Sequence, residues 1–168
     1  FILIGISSNN LQGVASVIYF LLIYVFSNLA AFGVVGCISF LTNKENIDDY
    51  KGLYQTNPWM SWILAIALFS LAGIPPTAGF FGKLFLLGSG ISAGNYVFIT
   101  FAGCNMVISL YYYLRIIRVV FIDTSNHTIP SLTVSIASKI GLLICAAGII
   151  LVGLCNWFYN TIYFRIQQ

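Results

Sequence analysis

The chain has 168 residues, of which 60% are hydrophobic and 7% are charged, with a formal net charge of +3. A soluble domain carries about 25% charged residues, so this composition excludes a surface that faces water. The charges form no basic run of the kind that binds nucleic acid, so nucleic acid is not an expected partner. The uncharged runs each exceed the ~20 residues that a helix needs to cross a bilayer. The sequence therefore predicts an all-α membrane protein with about four transmembrane elements.

The first of these elements is expected at about 11–41, after the turn-rich SSNN at 7–10. Residues 1–6 look like the end of a helix that starts upstream, so we expect the chain to be the C-terminal part of a longer polypeptide. It would then be either a partial sequence or the product of a split gene. Tyr24, Ser27 and Asn28 place polar groups near the middle of the first element, on one face by their spacing.

The second element is expected to be broken, with halves at 58–74 and 78–91 on either side of Pro75-Pro76. Proline lacks the N–H that a helix needs, and its ring clashes with the preceding turn. As one straight helix the element would be about 50 Å long, much more than a ~30 Å hydrocarbon core. Broken helices at membrane depth mark the ion and substrate sites of transporters.

Lys83, in the second half of that element, is the strongest candidate for a functional residue. It is the only charged residue between Lys51 and Arg115. Burying a lysine costs roughly 2.5–3.5 kcal/mol on insertion scales, and a low-dielectric site disfavours its charged form. Lys83 could therefore accept and release protons. The alternative is a structural lysine that snorkels to an interface or pairs with a carboxylate, although no Asp or Glu of this chain falls in an apolar run.

Two more crossings are expected at about 96–122 and 136–163. The first of these carries Asn105, which together with Tyr24 is a candidate proton relay beside Lys83. The alternative for both relay candidates is helix–helix hydrogen bonding, worth about 0.6 kcal/mol on average. The four cysteines have no metal-binding spacing, and His127 lies in a polar loop, so we expect neither a metal site nor a redox cofactor in this chain.

Four stretches in order resemble one protein family. They are IYVFSNLAAFGVV at 23–35, DDYKGLYQTNP at 48–58, SLAGIPPTAGFFGK at 70–83 and SLYYYLR at 109–115. Together they are similar to subunit 2 of complex I, which is called subunit N in bacterial NADH:quinone oxidoreductase. The GIPP motif with its following GFFGK is shared with Mrp-type cation/proton antiporters, so by itself it indicates only the wider antiporter-like superfamily.

The resemblance implies that the chain forms about the last four of the family's fourteen helices and takes part in proton translocation coupled to NADH oxidation and quinone reduction. In the family, the lysine of the second broken helix belongs to a central hydrophilic axis, a role that the resemblance assigns to Lys83. Several relatives have a histidine on the preceding helix, where this chain has Tyr24. Two alternatives stay open: an Mrp-type antiporter subunit and a non-pumping structural subunit.

The resemblance also implies where the rest of the chemistry takes place. NADH, FMN, iron–sulfur clusters and quinone would be used by other subunits, and none of them by this chain. The expected partners are other membrane subunits of complex I, including neighbouring antiporter-like subunits, and the lipid bilayer. The expected location is the coupling membrane, and the 48–58 loop favours the bacterial cytoplasmic membrane over the mitochondrial inner membrane.

Overall fold

The computed structural model describes residues 1–124, 129–154 and 157–167. These residues form α-helices, one short 3₁₀ turn and connecting loops, without a strand, which confirms the predicted all-α fold. The helices are α1 (Ile2–Ser7), α2 (Leu11–Thr42), α3 (Leu53–Thr56), α4 (Pro58–Ala72), α5 (Ala78–Ser92), α6 (Tyr96–Phe121), α7 (Ile136–Leu154) and α8 (Trp157–Gln167), and the 3₁₀ turn is Ile47–Tyr50.

Three helices, α2, α6 and α7, are long and apolar enough to cross a membrane, whereas α4 and α5 are shorter. Together α4 and α5 form the expected broken element, which is interrupted between Ala72 and Ala78. Pro58 occupies the first turn of α4, where its missing N–H costs nothing. Gly73 ends α4 in the left-handed conformation that commonly closes a helix.

Helix α2 lies at the centre of the molecule and packs against α1, α4, α5, α7 and α8. Its small and aliphatic residues Ala30, Val34 and Ile38 are buried in the main hydrophobic core together with residues of α4 and α7. Helix α6 is different, because only Ala102, Val119 and Val120 of its 26 residues are buried. Its apolar surface faces outward, as expected of a helix at the edge of a membrane bundle.

The last predicted element, at 136–163, covers α7 and most of α8. Helix α7 ends at Leu154 and α8 begins at Trp157, and residues 155 and 156 lie outside the described part of the chain. Helix α8 packs on α2. Its Tyr159 ring lies 4.0 Å from the Phe85 ring, measured between centroids, and the Tyr159 hydroxyl lies 3.3 Å from the Ser16 hydroxyl. His127 and Cys155, considered in the sequence, also lie outside the described residues.

Candidate functional site

The Lys83 side chain crosses the break in the second membrane element. It is only 5% exposed, and its ammonium group donates to the carbonyl oxygens of Leu71 at 2.7 Å and Ala72 at 3.0 Å. Leu71 and Ala72 are the last two residues of α4. The described residues provide no salt-bridge partner for Lys83. Two backbone carbonyls therefore take the place of the carboxylate that a buried ammonium group usually needs.

The end of α4 can accept hydrogen bonds from Lys83 because the last four carbonyl groups of a helix have no partner inside the helix. Those of Phe69 and Ser70 accept from the backbone N–H groups that follow the helix, including that of Gly73. The remaining two, of Leu71 and Ala72, accept from Lys83. The C-terminus of a helix also carries about half a negative charge, which partly balances the ammonium group.

Glycine at position 73 lets the lysine approach. Its φ of +84° is one that other residues rarely adopt. A Cβ on Gly73 would lie 3.0 Å from Cδ and 3.2 Å from Nζ of Lys83. On the other side, the Phe1 ring lies 5.2 Å from the Lys83 nitrogen, within range of a cation–π contact. The ammonium group is thus enclosed by a helix end and an aromatic face.

Two further glycines bring backbones together around the break. A Cβ on Gly79 of α5 would overlap the Ser70 carbonyl group of α4, so the half-helices touch at their backbones. A Cβ on Gly153 of α7 would lie 2.5 Å from the nitrogen of Ala78 and 2.9 Å from the oxygen of Pro76. Helix α7 therefore rests directly on the broken segment.

A cavity of about 360 Å³ opens beside Lys83. Its polar lining residues are Tyr24, Ser27, Ser70, Lys83, Asn105, Ser109, Tyr112 and Tyr113. A polar cavity of this size holds several water molecules. The structure thus brings together all three residues selected from the sequence, with Lys83 buried, Tyr24 48% exposed and Asn105 exposed. A relay role for Tyr24 and Asn105 stays a prediction.

Asn28 does not share this cavity, although its spacing grouped it with Tyr24 and Ser27. It lines a separate, largely apolar cavity of about 220 Å³, and its side-chain nitrogen donates to the Tyr24 carbonyl oxygen at 2.7 Å. The reason is geometric, because consecutive helical residues are 100° apart around the axis. Ser27 and Asn28 flank Tyr24 on opposite sides and face different neighbours.

Sequence reasoning missed two features of the site. One is the pair of carbonyl groups that hold Lys83, which a helix stop at Gly73, two residues before a pair of prolines, would have indicated. The other is the bond between Ser27 Oγ and Ser70 Oγ, 2.7 Å long and fully enclosed between α2 and α4. No sequence signal identifies that pair, because 43 residues separate its members.

Comparison with known proteins identifies the family. Residues 1–109 match the family of transmembrane proteins described as NADH:quinone oxidoreductase/Mrp antiporter. The chain belongs to this family. Among its relatives is NADH-quinone oxidoreductase subunit N of Phocaeicola vulgatus, 39% identical over 163 residues, which are 96% of this chain and 34% of the relative.

Two further relatives carry related names. NADH-quinone oxidoreductase subunit N of Azobacteroides pseudotrichonymphae is 38% identical over 173 residues, covering 100% of this chain and 36% of the relative. NAD(P)H-quinone oxidoreductase subunit 2 of the Chaetosphaeridium globosum chloroplast is 42% identical over 156 residues, covering 86% of this chain and 31% of the relative. The chain spans about a third of the length of the relatives that it matches.

Two solved structures share the fold. Respiratory complex I from Thermus thermophilus contains a chain with a TM-score of 0.75 and 24% identity, covering 91% of this chain and 34% of that one. The Mrp complex from Dietzia sp. DQ12-45-1b contains one with a TM-score of 0.84 and 19% identity, covering 98% and 40%. The antiporter-like fold is therefore common to both assemblies, and the fold alone does not separate their activities.

Proposed function

We propose that the chain is part of a membrane subunit of a respiratory NADH:quinone oxidoreductase and takes part in proton translocation through Lys83. The names of the relatives at 38–42% identity support the assignment of the chain to this enzyme. The observation that carries the role of Lys83 is its position, buried beside a polar cavity and held by the free carbonyls of a broken helix. An intramembrane lysine in such a place is a functional-site candidate, and its amine can take up and release a proton.

Lys83 can lose its proton because the groups that hold its ammonium group are not fully charged. If a buried ammonium group is paired with a carboxylate, removing its proton leaves an uncompensated charge, which is strongly destabilising. Lys83 faces two neutral carbonyl groups and the partial charge of a helix end. Loss of the proton therefore leaves no uncompensated full charge behind.

The remaining parts of the reaction would lie in other subunits. We propose that NADH, FMN, iron–sulfur clusters and quinone act there, and that this chain transmits only protons. Its partners would be other membrane subunits, including neighbouring antiporter-like ones, since the two structures compared above are complexes. The coupling membrane would be the bacterial cytoplasmic membrane, as the bacterial subunit N relatives suggest, rather than the mitochondrial inner membrane.

Two other functions have an observation in their favour. An Mrp-type subunit, which would exchange cations for protons without electron transfer, has the fold of this chain in its favour. The bonds from Lys83 to Leu71 and Ala72 favour a structural subunit in which the lysine only ties the half-helices together. The first alternative differs from the main proposal in what drives proton movement. The second differs in that Lys83 carries no proton.

The test is to purify the assembly that contains this chain and to reconstitute it in vesicles. The proposal expects NADH-dependent quinone reduction with proton uptake that stops when NADH is withheld. Exchange of sodium for protons in the absence of NADH, without quinone reductase activity, would establish the Mrp alternative instead. A proton-to-electron ratio that stays normal in Lys83 variants would favour the structural role.

A further inference from the structure

One pair of buried serines forms a different kind of hydrogen bond from the other buried serines of the described helices. Ser27 of α2 and Ser70 of α4 are 1% and 2% exposed, and their hydroxyl oxygens lie 2.7 Å apart. The other buried serines of the described helices donate to a carbonyl oxygen three or four residues earlier in the chain; they are Ser16, Ser61 and Ser89. Ser27 and Ser70 bond instead to each other, between helices.

This serine pair lies in the wall of the Lys83 cavity, which both residues line. The position that a Cβ of Gly79 would occupy is 2.8 Å from the Ser70 oxygen. Gly79 is four residues before Lys83, so the two lie on the same face of α5, one turn apart. The Ser70 hydroxyl is therefore about one helical turn from the point where Lys83 leaves the helix.

The hydrogens of the pair allow proton transfer. Each hydroxyl group has one hydrogen and two acceptor lone pairs. One of the two hydrogens occupies the bond between Ser27 and Ser70, and the other is left for an acceptor other than the partner serine. A hydroxyl group that donates and accepts at the same time passes a proton along a hydrogen-bonded chain. Serines that bond back to a helix carbonyl do not, because the carbonyl has no hydrogen to pass on.

We propose that the Ser27–Ser70 pair carries protons between water in the cavity and Lys83, an inference that rests on the proposed function. A hydronium ion in the cavity gives a proton to the Ser27 oxygen. The hydrogen of Ser27 moves to the Ser70 oxygen. The hydrogen of Ser70 then passes to the Lys83 amine through a water molecule in the cavity that both residues line. Each serine keeps one hydrogen, and the net change is one proton moved from hydronium to the amine.

The test uses Ser27→Ala, Ser70→Ala and the double variant in the assembled enzyme. Alanine removes the hydroxyl group and changes the volume very little. General acid–base groups contribute about 10²-fold or more, so we expect proton delivery per assembled enzyme to fall by about that factor in each single variant. The double variant should be no slower than either single variant, because the two hydroxyl groups act as one unit.

The matched control is Ser61→Ala, since Ser61 lies on α4 like Ser70, is 0% exposed and bonds to its own helix. It should keep the wild-type rate. Ser27→Thr, which retains a hydroxyl group, separates chemistry from packing and should transfer protons faster than Ser27→Ala. Equal losses in these two variants would overturn the inference.

The outcome also separates this inference from the function on which it rests. Wild-type proton delivery in Ser27→Ala and Ser70→Ala, together with a loss in Lys83→Met, would remove only the serine pair from the path. Wild-type transport in Lys83→Met would contradict the proposed function itself. A large solvent isotope effect that disappears in Ser70→Ala would support transfer through the pair, because a purely structural hydroxyl group does not alter it.

Discussion

The ammonium nitrogen of Lys83 donates to the carbonyl oxygen of Leu71 at 2.7 Å and so joins the two half-helices across the break. The interruption of the helix and the burial of the lysine therefore depend on each other. Without the break, the Leu71 carbonyl would be bonded within its own helix. Without Lys83, two carbonyl groups at membrane depth would lose their partner, which costs several kcal/mol per group.

Gly73→Ala should displace Lys83 from its two carbonyl groups. The new Cβ would meet the lysine side chain at 3.0–3.2 Å, and the backbone at φ +84° disfavours any residue with a Cβ by roughly 1–2 kcal/mol. We expect lower thermal stability and lower proton transport per assembled enzyme. Gly94→Ala is the control, because Gly94 has φ +72° but open space around it. If both variants lose only stability, contact with Lys83 does not matter for transport.

Gly153→Ala should push α7 away from the broken segment. Its Cβ would come within 2.5 Å of the Ala78 nitrogen, closer than real Cβ contacts. Gly141 lies on the same helix with nothing within 4 Å, so Gly141→Ala should be neutral or stabilising by up to about 1 kcal/mol through helix propensity. Melting temperatures of the purified assembly compare the two. Equal melting temperatures would show that α7 does not need to touch the break.

Asn57→Ala should loosen the connection that follows α6. Asn57 is buried, its side-chain nitrogen donates to the Pro130 oxygen at 3.0 Å, and its oxygen accepts from the Leu132 nitrogen at 2.8 Å. An orphaned buried partner costs about 1–3 kcal/mol, so the amide hydrogen of Leu132 should exchange much faster with deuterium. Gln55→Ala, on an exposed residue of α3, should leave that exchange rate unchanged.

Tyr24→Phe and Asn105→Leu should each have a small effect on proton transport. Both residues are exposed and line the open side of the cavity, where water can bond to several other groups. Loss of one such bond, at about 0.6 kcal/mol, corresponds to about a threefold change. Ile108→Leu, an apolar cavity position, serves as the control. Loss of transport as large as that expected for Lys83 variants would place Tyr24 or Asn105 in the proton path itself.

The sequence predicted the features that depend on covalent chemistry. Pro75 and Pro76 cannot continue a helix, so the break lies within a few residues of its predicted position, between Ala72 and Ala78. The position of Lys83 in a long uncharged run is likewise read directly from the sequence. These local properties are independent of how the helices pack.

The features that depend on packing could not be predicted. The partners of Lys83 are backbone atoms, which every residue has, so composition gives no sign of them. The Ser27–Ser70 bond depends on the rotation of α2 against α4. The division of Ser27 and Asn28 between two cavities depends on that same rotation, although their spacing suggested one common face. Tertiary structure decides which side of a helix a neighbour occupies.

The proton-to-electron ratio of Lys83→Met in the assembled enzyme tests the central claim most directly. Methionine keeps an unbranched side chain, one atom shorter than that of lysine, and removes the amine that carries the proton. Leu84→Met, at the exposed neighbouring residue, is the control. With assembly and NADH oxidation measured in parallel, we expect a reduced ratio in Lys83→Met and a normal ratio in Leu84→Met. A normal ratio in Lys83→Met, at normal assembly, would show that this lysine carries no proton.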